Sequence, residues 1–203
     1  MITVIDLHIG NTASVSRALK YLDIPHLVSD DIGIIDAADR LIFPGVGNFF
    51  EASKILKTTG LYGLLRHKVL DRKTPILGIC LGMQLFATFG EEGGRSEGLD
   101  FIKSNILYHR ASGKGLRLPH IGWNEVRHEG LKVFDSIPDN TCFYFAHSYE
   151  MTLSEAVKAA YSDYGVNFVA VVQKGNIIGC QFHPEKSQKA GLKLLDNFCK
   201  GIM

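Results

Sequence analysis

Short apolar segments alternate with amphipathic segments along the first half of the chain, and this alternation limits the folds open to it. The apolar segments cover residues 2–7, 26–29, 41–43 and 75–79. Between them, apolar residues recur at helical spacing, as at Val15, Ala18, Leu19 and Leu22, and at Ile55, Leu56, Leu61, Leu64, Leu65 and Val69. Asn11 is placed to cap the first of these helices. Strands that alternate with helices predict a parallel sheet covered on both faces, with right-handed crossovers.

The second half of the chain contains mostly strand-like segments, which cover residues 101–109, 141–150, 168–173 and 177–182. Gly175-Asn176 between the last two is a hairpin signal, so those two strands are expected to be antiparallel neighbours. The chain ends in a helix that places Leu194, Leu195, Phe198 and Ile202 on one face. We therefore predict a single α/β domain over residues 1–203. Its sheet is open, twisted and mostly parallel, flanked by helices on both faces, with an antiparallel extension in the C-terminal half.

Composition and charge narrow the classes of function. The 203 residues carry a net charge of +1 with interspersed signs, so no surface for nucleic acid or for an anionic membrane is predicted. No apolar run reaches the roughly 18 residues of a membrane span, and residues 1–6 lack the features of a signal peptide. The spacing of the four cysteines matches no metal site, and we expect reduced thiols in the cytoplasm. Cys142, Cys180 and Cys199 are interpreted as small buried apolar residues.

The segment Gly78-Ile79-Cys80-Leu81-Gly82-Met83-Gln84 predicts a nucleophile elbow. An apolar strand runs into it, and an amphipathic helix through Leu85 and Phe86 runs out. The flanking glycines allow neighbouring backbone to approach, and a helix N-terminus favours the thiolate form of Cys80. Backbone N–H groups at the turn, including that of Leu81, can receive an oxyanion. Taken alone, the pattern is also compatible with a buried structural cysteine.

A cysteine nucleophile needs a base and a group that orients the base, and the residues after the last apolar strand offer both. His183 follows the strand at 177–182, and Glu185 comes two residues later. Because the carboxyl ends of parallel strands meet at one edge of the sheet, we expect His183 near Cys80. Glu185 can accept a hydrogen bond from the imidazole and select its tautomer. A lone histidine is more often structural, but this combination favours catalysis.

Pro44-Gly45-Val46-Gly47 follows the strand at 41–43. Two glycines around a valine at a strand end can direct backbone N–H groups towards a developing oxyanion. An ordinary strand-to-helix turn is the alternative interpretation.

Together these motifs resemble a known family. The elbow segment and Gln181-Phe182-His183-Pro184-Glu185-Lys186-Ser187 are similar to the class I (triad) glutamine amidotransferases. Three segments narrow the resemblance to the glutaminase subunits of imidazole glycerol phosphate synthases: Pro44-Gly45-Val46-Gly47, Pro119-His120-Ile121-Gly122-Trp123-Asn124 and Phe145-Ala146-His147-Ser148-Tyr149. The similarity covers nearly the whole chain in the expected order. In the anthranilate and GMP synthase glutaminases, His usually stands where this chain has Met83.

The resemblance implies roles for individual residues. Those that match the triad are Cys80, His183 and Glu185. Those that match the oxyanion site are Gly45, Val46, Gly47 and Leu81. Those that match glutamine-binding positions are Gln84, Glu92, Ser148 and Tyr149. Those that match the partner interface are Asn11, Trp123, Asn124, Tyr144 and Lys186; an exposed Trp also suits an interface on physical grounds, although a core position is the alternative.

The resemblance also implies a reaction and a partner. Glutamine is hydrolysed through a cysteine thioester, and the ammonia passes to a separate (β/α)8 cyclase subunit of the HisF type within a heterodimer. The cyclase makes imidazole glycerol phosphate and aminoimidazole carboxamide ribotide in histidine biosynthesis. Neither a cofactor nor a metal is implied.

One segment departs from the family pattern. Asp6-Leu7-His8-Ile9-Gly10-Asn11 stands where the family usually has Asp-Tyr-Gly-x-Gly-Asn, in a loop that matches one facing the cyclase. A paralogous glutaminase that supplies ammonia for amidotransfer in surface-sugar biosynthesis therefore stays open as an alternative. A non-catalytic subunit is disfavoured because the triad is complete. A nucleotide-binding protein is disfavoured because Gly113-Lys114-Gly115 lacks the rest of a P-loop.

Overall fold

The computed structural model describes residues 1–202. The strands are β1 (Ile2–Ile5), β2 (His26–Ser29), β3 (Arg40–Gly45), β4 (Ile76–Cys80), β5 (Phe89–Gly90), β6 (Ser96–Glu97), β7 (Ser104–Tyr108), β8 (His120–Val126), β9 (Thr141–His147), β10 (Tyr149–Leu153), β11 (Lys158–Asp163), β12 (Asn167–Lys174) and β13 (Ile177–Cys180). The α-helices are α1 (Thr12–Tyr21), α2 (Ile32–Ala37), α3 (Phe49–Thr58), α4 (Leu61–Arg66), α5 (Leu81–Gln84) and α6 (Gln188–Cys199). A π-helical turn covers His67–Asp71, and 3-10 turns cover Arg110–Lys114, Lys132–Phe134 and Pro184–Lys186.

Seven strands form the central sheet in the order β11-β12-β13-β4-β3-β1-β2. The strands from β13 to β2 in this order are parallel, whereas β12 pairs antiparallel with both β11 and β13. Gly175-Asn176 joins β12 to β13 as the predicted hairpin. The prediction of a mostly parallel sheet with an antiparallel extension is therefore confirmed. Strands that follow β4 in the chain form smaller sheets, in the orders β10-β7-β5-β6 and β8-β9.

Alternation along the central strands divides the core into two layers. On one face, Leu41, Phe43 and Ile76 pack with buried residues of α2, α3 and α4. On the other face, Ile42, Leu77 and Ile79 pack with buried residues of α1 and α6. Neighbouring residues of a strand point to opposite faces, so these continuous apolar segments need cover on both sides. Helices on both faces, as predicted, provide that cover.

Tertiary contacts change several predicted elements. The strand expected over 141–150 is wrong: it breaks at Ser148, where β9 pairs with β8 and β10 pairs with β7 in a different sheet. The helix expected after Cys80 ends at Gln84. It stops because the carbonyls of Leu85 and Phe86 accept hydrogen bonds from residues 99, 101 and 102 rather than continuing the helical ladder. The helical segment over 49–69 is interrupted at Gly60, whose φ is +79°.

The cysteines differ in exposure. Cys180 is buried, and Cys199 is intermediate. The expectation for Cys142 was wrong, because its side chain lies on the exposed side of β9, where alternate residues face outward. All four cysteines are free thiols. Within residues 1–202, no helix has the length and hydropathy needed to cross a membrane.

Candidate active site

Cys80 is held in a strained backbone conformation at the end of β4. Its φ of +54° and ψ of −109° lie in a region that residues other than glycine rarely adopt. The sharp turn from β4 into the single turn of α5 follows from this conformation, as expected for a nucleophile elbow. Cys80 is only 6% exposed, so its thiol is reached through the cavity described below.

The glycine beyond the elbow is needed for close packing. A Cβ atom on Gly82 would lie 1.8 Å from the carbonyl oxygen of Phe43 in β3. A Cβ atom on Gly78 would lie 2.7 Å from both the Met83 nitrogen and the Phe86 ring. The predicted close approach of neighbouring backbone is therefore present, and β3 and β4 end side by side at Gly45 and Cys80.

His183 and Glu185 lie directly after β13, which pairs in parallel with β4. The Nδ1 of His183 donates to the Oε1 of Glu185 at 2.8 Å. This contact leaves Nε2 for the Cys80 thiol, whose influence raises the pKa of the imidazole. The side chains of His183 and Glu185 are 1% and 0% exposed. The structure thus brings the three predicted triad residues together.

Charge favours a protonated imidazole. Burial by itself lowers the pKa of His183, but the interactions with Cys80 and Glu185 outweigh burial and raise the pKa to about 10. At neutral pH His183 is therefore an imidazolium, ready to act as a proton donor beside the nucleophile.

Asn11 supports this arrangement from the N-terminal loop. Its Nδ2 donates to the Oε1 of Glu185 at 2.6 Å. Asn11 holds the predicted N-cap position of α1, but it has a φ of +76° and its side chain makes no capping hydrogen bond to the helix. The side chain is instead directed to the triad, over a separation of 174 residues.

A cavity of about 280 Å³ opens above Cys80. It is lined by Val46, Gly47, Cys80, Leu81, Gln84, Glu92, Pro119, Ala146, His147, Ser148, Tyr149, His183 and Lys186. All four predicted glutamine-binding residues are in this set, as are three of the four predicted oxyanion residues. Gly45 lies just behind the lining, opposite Cys80 in the sheet. The cavity therefore brings the thiol of Cys80, the imidazole of His183 and the backbone of the residue 46–47 turn to one space.

Comparison with known proteins identifies the family. The family model described as glutamine amidotransferase class-I matches residues 3–202. The chain belongs to the class I glutamine amidotransferases.

Relatives of this amidotransferase match it along almost its entire length. It is 43% identical to imidazole glycerol phosphate synthase subunit HisH 1 of Campylobacter jejuni strain RM1221, over 98% of this chain and 100% of the relative. It is 44% identical to imidazole glycerol phosphate synthase subunit HisH of Moorella thermoacetica, over 97% of this chain and 93% of the relative.

Solved structures share the fold at lower identity. A crystal structure of a glutamine amidotransferase superposes with a TM-score of 0.77 at 20% identity, covering 98% of this chain and 97% of that one. The structure of PurLQS from Thermotoga maritima superposes with a TM-score of 0.72 at 17% identity, covering 100% of this chain and 98% of that one.

Hydrogen bonds hold two of the predicted glutamine-binding residues of the amidotransferase, Gln84 and Glu92. Gln84 Nε2 lies within hydrogen-bond distance of two acceptors, the carbonyl of Tyr149 at 3.2 Å and Gln181 Oε1 at 3.1 Å. Glu92 Oε2 accepts from the backbone N–H of Phe49 at 3.1 Å. Burial raises the pKa of Glu92, against the opposing effect of that hydrogen bond, so a bound cation would relieve the cost of its charge.

One of the predicted interface residues of the amidotransferase, Lys186, lines the cavity, and two others connect to it through aromatic contacts. Trp123 is 45% exposed, so the core position considered from sequence is wrong. Its ring contacts Tyr144 edge to face at 5.9 Å, and the Nζ of Lys186 lies 5.8 Å from the same Tyr144 ring. Asn124 is half-buried and bonds to His120 and to the Asp163 carbonyl. Lys186 also lines the cavity, so the exposed aromatic surface adjoins the catalytic site.

Sequence reasoning missed two contacts to the Cys80 sulfur. The Nε2 of Gln181 lies 3.7 Å from the Cys80 sulfur, and the carbonyl of Ala146 lies 3.9 Å from it. A signal for Gln181 was present, since a polar side chain in an apolar strand end, two positions before His183, points to the same side. No sequence signal distinguishes the Ala146 carbonyl, because its place depends on how β9 crosses the sheet edge.

Proposed function

We propose that this chain is the glutaminase subunit of an imidazole glycerol phosphate synthase, which hydrolyses glutamine and delivers ammonia to a cyclase subunit of the HisF type in a heterodimer. The observation that carries the proposal is that one cavity is lined by both Cys80 and His183, whose ring is hydrogen-bonded to Glu185. The relatives at 43% and 44% identity, which match nearly the full chain, support the choice of synthase.

In the first half-reaction the Cys80 sulfur attacks the side-chain amide carbon of glutamine. The carbonyl oxygen becomes an oxyanion, which the backbone N–H groups of Leu81 and of the Gly45-Val46-Gly47 turn stabilise. His183 donates its proton to the amide nitrogen as the C–N bond breaks. Ammonia leaves, and a glutamyl thioester remains on Cys80.

In the second half-reaction His183, now neutral, accepts a proton from water as the water oxygen attacks the thioester carbon. The oxyanion forms again in the same site and collapses with cleavage of the C–S bond. Glutamate leaves, the sulfur regains its thiolate, and His183 is again an imidazolium. Glu185 keeps the ring oriented throughout by accepting from Nδ1.

The remaining cavity residues hold the substrate away from the reacting carbon. Glu92 offers a carboxylate to the α-ammonium of glutamine, and its raised pKa suits a site that gains from a bound cation. Gln84, Ser148 and Tyr149 surround the same space with amide, hydroxyl and backbone groups. The residues that contribute to the cyclase interface are Asn11, Trp123, Asn124, Tyr144 and Lys186, of which Lys186 also lines the cavity. We place the chain in the cytoplasm, where free thiols such as these four persist.

Glutamate release tests the proposal. The purified chain alone is expected to be nearly inactive, and addition of the cyclase with its nucleotide substrate is expected to raise glutamate release strongly. Cys80→Ala should abolish glutamate release, and the variant chain should still bind the cyclase. Glutamine-dependent turnover that persists in Cys80→Ala would contradict the role of the nucleophile, and full activity of the chain alone would contradict dependence on the partner.

A second acceptor for the ammonia is favoured by the loop at Leu7–His8. His8 adopts a φ of +58°, at the position where the family usually has glycine. Its backbone N–H donates to Asp6, and its Nε2 lies 3.0 Å from Asp30, which raises the pKa of the ring. A side chain in this exposed loop suits a different partner, such as a subunit that carries out amidotransfer in surface-sugar biosynthesis. Activation by such a subunit, and not by the cyclase, would select this alternative.

A further inference from the structure

Three histidines that the mechanism does not use lie together beside the catalytic cavity. His109, His120 and His147 are 0%, 1% and 5% exposed. His120 and His147 are paired across β8 and β9, and His109 follows β7. Of the three, His147 also lines the cavity, between Ala146 and Ser148. The cluster therefore connects the glutamine site with the interior of the β8–β9 sheet.

The contacts of His120 and His147 form one continuous series. His147 Nδ1 lies 2.9 Å from the carbonyl oxygen of Tyr149, and His147 Nε2 lies 3.2 Å from His120 Nδ1. His120 Nε2 lies 2.7 Å from the Oδ1 of Asn124. The Asn124 amide is oriented by its own Nδ2, which donates to the carbonyl of Asp163 at 2.8 Å. Two imidazoles thus stand between two oxygen acceptors.

The series has one hydrogen fewer than its contacts require. Each of the three contacts needs one N–H, but two neutral imidazoles carry only two. Burial lowers the pKa of both rings, and that of His147 to about 3, so the pair is neutral at ordinary pH. The neighbouring groups do not reverse this, because the charged forms of His109 and His183 also disfavour a proton on His147. Tyr164 stacks on the His120 ring. The charges of Arg110 and Glu150, which form an ion pair, act on the pKa of His109.

Two arrangements of the two hydrogens keep the hydrogen bond between the rings. A third puts hydrogen on Nδ1 of His147 and on Nε2 of His120, and it sets the two remaining ring nitrogens against each other without a hydrogen. If both rings carry hydrogen on Nδ1, His147 donates to the Tyr149 carbonyl and His120 donates to His147, but Nε2 of His120 faces the oxygen of Asn124 without a hydrogen. If both rings carry hydrogen on Nε2, His147 donates to His120 and His120 donates to the oxygen of Asn124. The Tyr149 carbonyl then accepts only from Gln84 Nε2. As long as the hydrogen bond between the two rings is kept, the Asn124 end and the Tyr149 end therefore compete for a donor.

We propose that His120 and His147 are positioning residues whose shared tautomer couples the Asn124 amide to the Ser148–Tyr149 edge of the glutamine site. The proposal rests on the proposed function, since Asn124 matches the cyclase interface and Tyr149 matches the glutamine site. When the Asn124 amide turns and offers its Nδ2 to His120, both rings take hydrogen on Nδ1 and the Tyr149 carbonyl gains its second donor. A partner that binds the Asn124 oxygen selects this arrangement and orders the glutamine site.

Two substitutions of His147 test the positioning role. The amide nitrogen of Asn occupies roughly the place of Nδ1 and can still donate to Tyr149, whereas that of Gln reaches the place of Nε2. In the complex with the cyclase, we expect His147→Gln to raise KM for glutamine about tenfold and His147→Asn to raise it less than about threefold, with kcat nearly unchanged in both. Equal KM values in the two variants would show that His147 only fills space and would overturn the proposal.

The tautomers can be observed directly in the isolated full-length chain. Long-range ¹H–¹⁵N spectra report which nitrogen of each imidazole carries hydrogen. Asn124→Ala removes the acceptor at one end, so we expect hydrogen to move from Nε2 to Nδ1 on both rings. Ile121→Ala, an exposed residue on the same strand, is the control and should change neither ring.

Unchanged tautomers in Asn124→Ala would overturn the coupling. This measurement needs neither the cyclase nor turnover, so its failure is distinguishable from failure of the proposed function. Loss of cyclase activation with normal tautomer exchange would instead reject the function and retain the coupling.

Discussion

The two sides of the catalytic cavity are built in different ways. The elbow side, made of the ends of β3, β4 and β13, is held by backbone packed against backbone, as at Gly82 and Phe43. The histidine side, made of His120, His147 and the residues bonded to them, is held by hydrogen bonds between buried polar groups. Close backbone packing permits one geometry, whereas a hydrogen-bond series with too few hydrogens permits more than one. The nucleophile thus stands on the rigid side and part of the substrate site on the adjustable side.

Each side presents one histidine to the cavity, and the two are tuned in opposite directions. The pKa of His183 is raised to about 10 by Cys80 and Glu185 in spite of burial. The pKa of His147 is lowered to about 3, mainly by burial. At neutral pH one ring is a charged proton donor and the other is a neutral hydrogen-bonding group, so environment alone separates a catalytic role from a positioning role.

The largest effect on stability is expected from a substitution that disturbs the backbone packing of the elbow side. Gly82→Ala places a methyl group 1.8 Å from a backbone oxygen, which no side-chain movement can relieve. We expect the free energy of unfolding to fall by about 3 kcal/mol or more. Gly63→Ala, in α4 with open space around it, is the matched control and should raise stability by about 0.5–1 kcal/mol. Similar denaturation midpoints for the two variants would refute the rigid elbow.

Stability as a function of pH separates the two histidines. The folded pKa of His183 exceeds its unfolded value of 6.5, so its contribution is present below pH 6.5 and is lost as pH rises towards 10. The folded pKa of His147 is below 6.5, so its contribution is lost as pH falls from 6.5 towards 3. Urea denaturation on both sides of pH 6.5 measures both slopes. Cys80→Ala should flatten the alkaline slope only, and an unchanged alkaline slope would contradict the charge pairing.

Substitution of Asn11 tests whether the elbow side depends on a loop outside the sheet. Asn11→Gly keeps the positive φ and removes the donor to Glu185. With saturating partner, we expect kcat for glutamine hydrolysis to fall about tenfold, because a hydrogen bond to a buried carboxylate is lost, while KM changes little. Asn11→Asp, which directs a second carboxylate at Glu185, should be worse. Equal kcat in wild type and Asn11→Gly would show that the contact is dispensable.

The smallest effect concerns strain stored at the nucleophile. Cys80→Ala and Cys80→Gly both remove the thiol, but only glycine accepts a φ of +54° without strain. We expect Cys80→Gly to be more stable than Cys80→Ala by about 1–2 kcal/mol in chemical denaturation. Equal stabilities would mean that the elbow relaxes when the sulfur is removed, and the contrast between the two sides would lose part of its basis.

Local patterns predicted the elbow well and the loops poorly. Cys80, His183 and the turn at 44–47 each follow an apolar strand, and parallel pairing brings such strand ends together wherever the helices lie. Ser148 shows the limit. Residues 141–150 read as one strand because each half has strand-like composition, but the break at Ser148 depends on two partners, β8 and β7, that are distant in sequence.

The sequence by itself determined the alternation that makes a parallel sheet, the strand ends that carry Cys80 and His183, and the glycines that let β3 and the elbow meet. These follow from residue size and periodicity over a few positions. Only the tertiary structure decided that Asn11 turns from its helix to Glu185, that Gln181 reaches the Cys80 sulfur, and that two buried histidines share two hydrogens among three contacts. Such contacts join residues up to 174 positions apart, and hydrogen-bond satisfaction in the buried site, not local propensity, selects them.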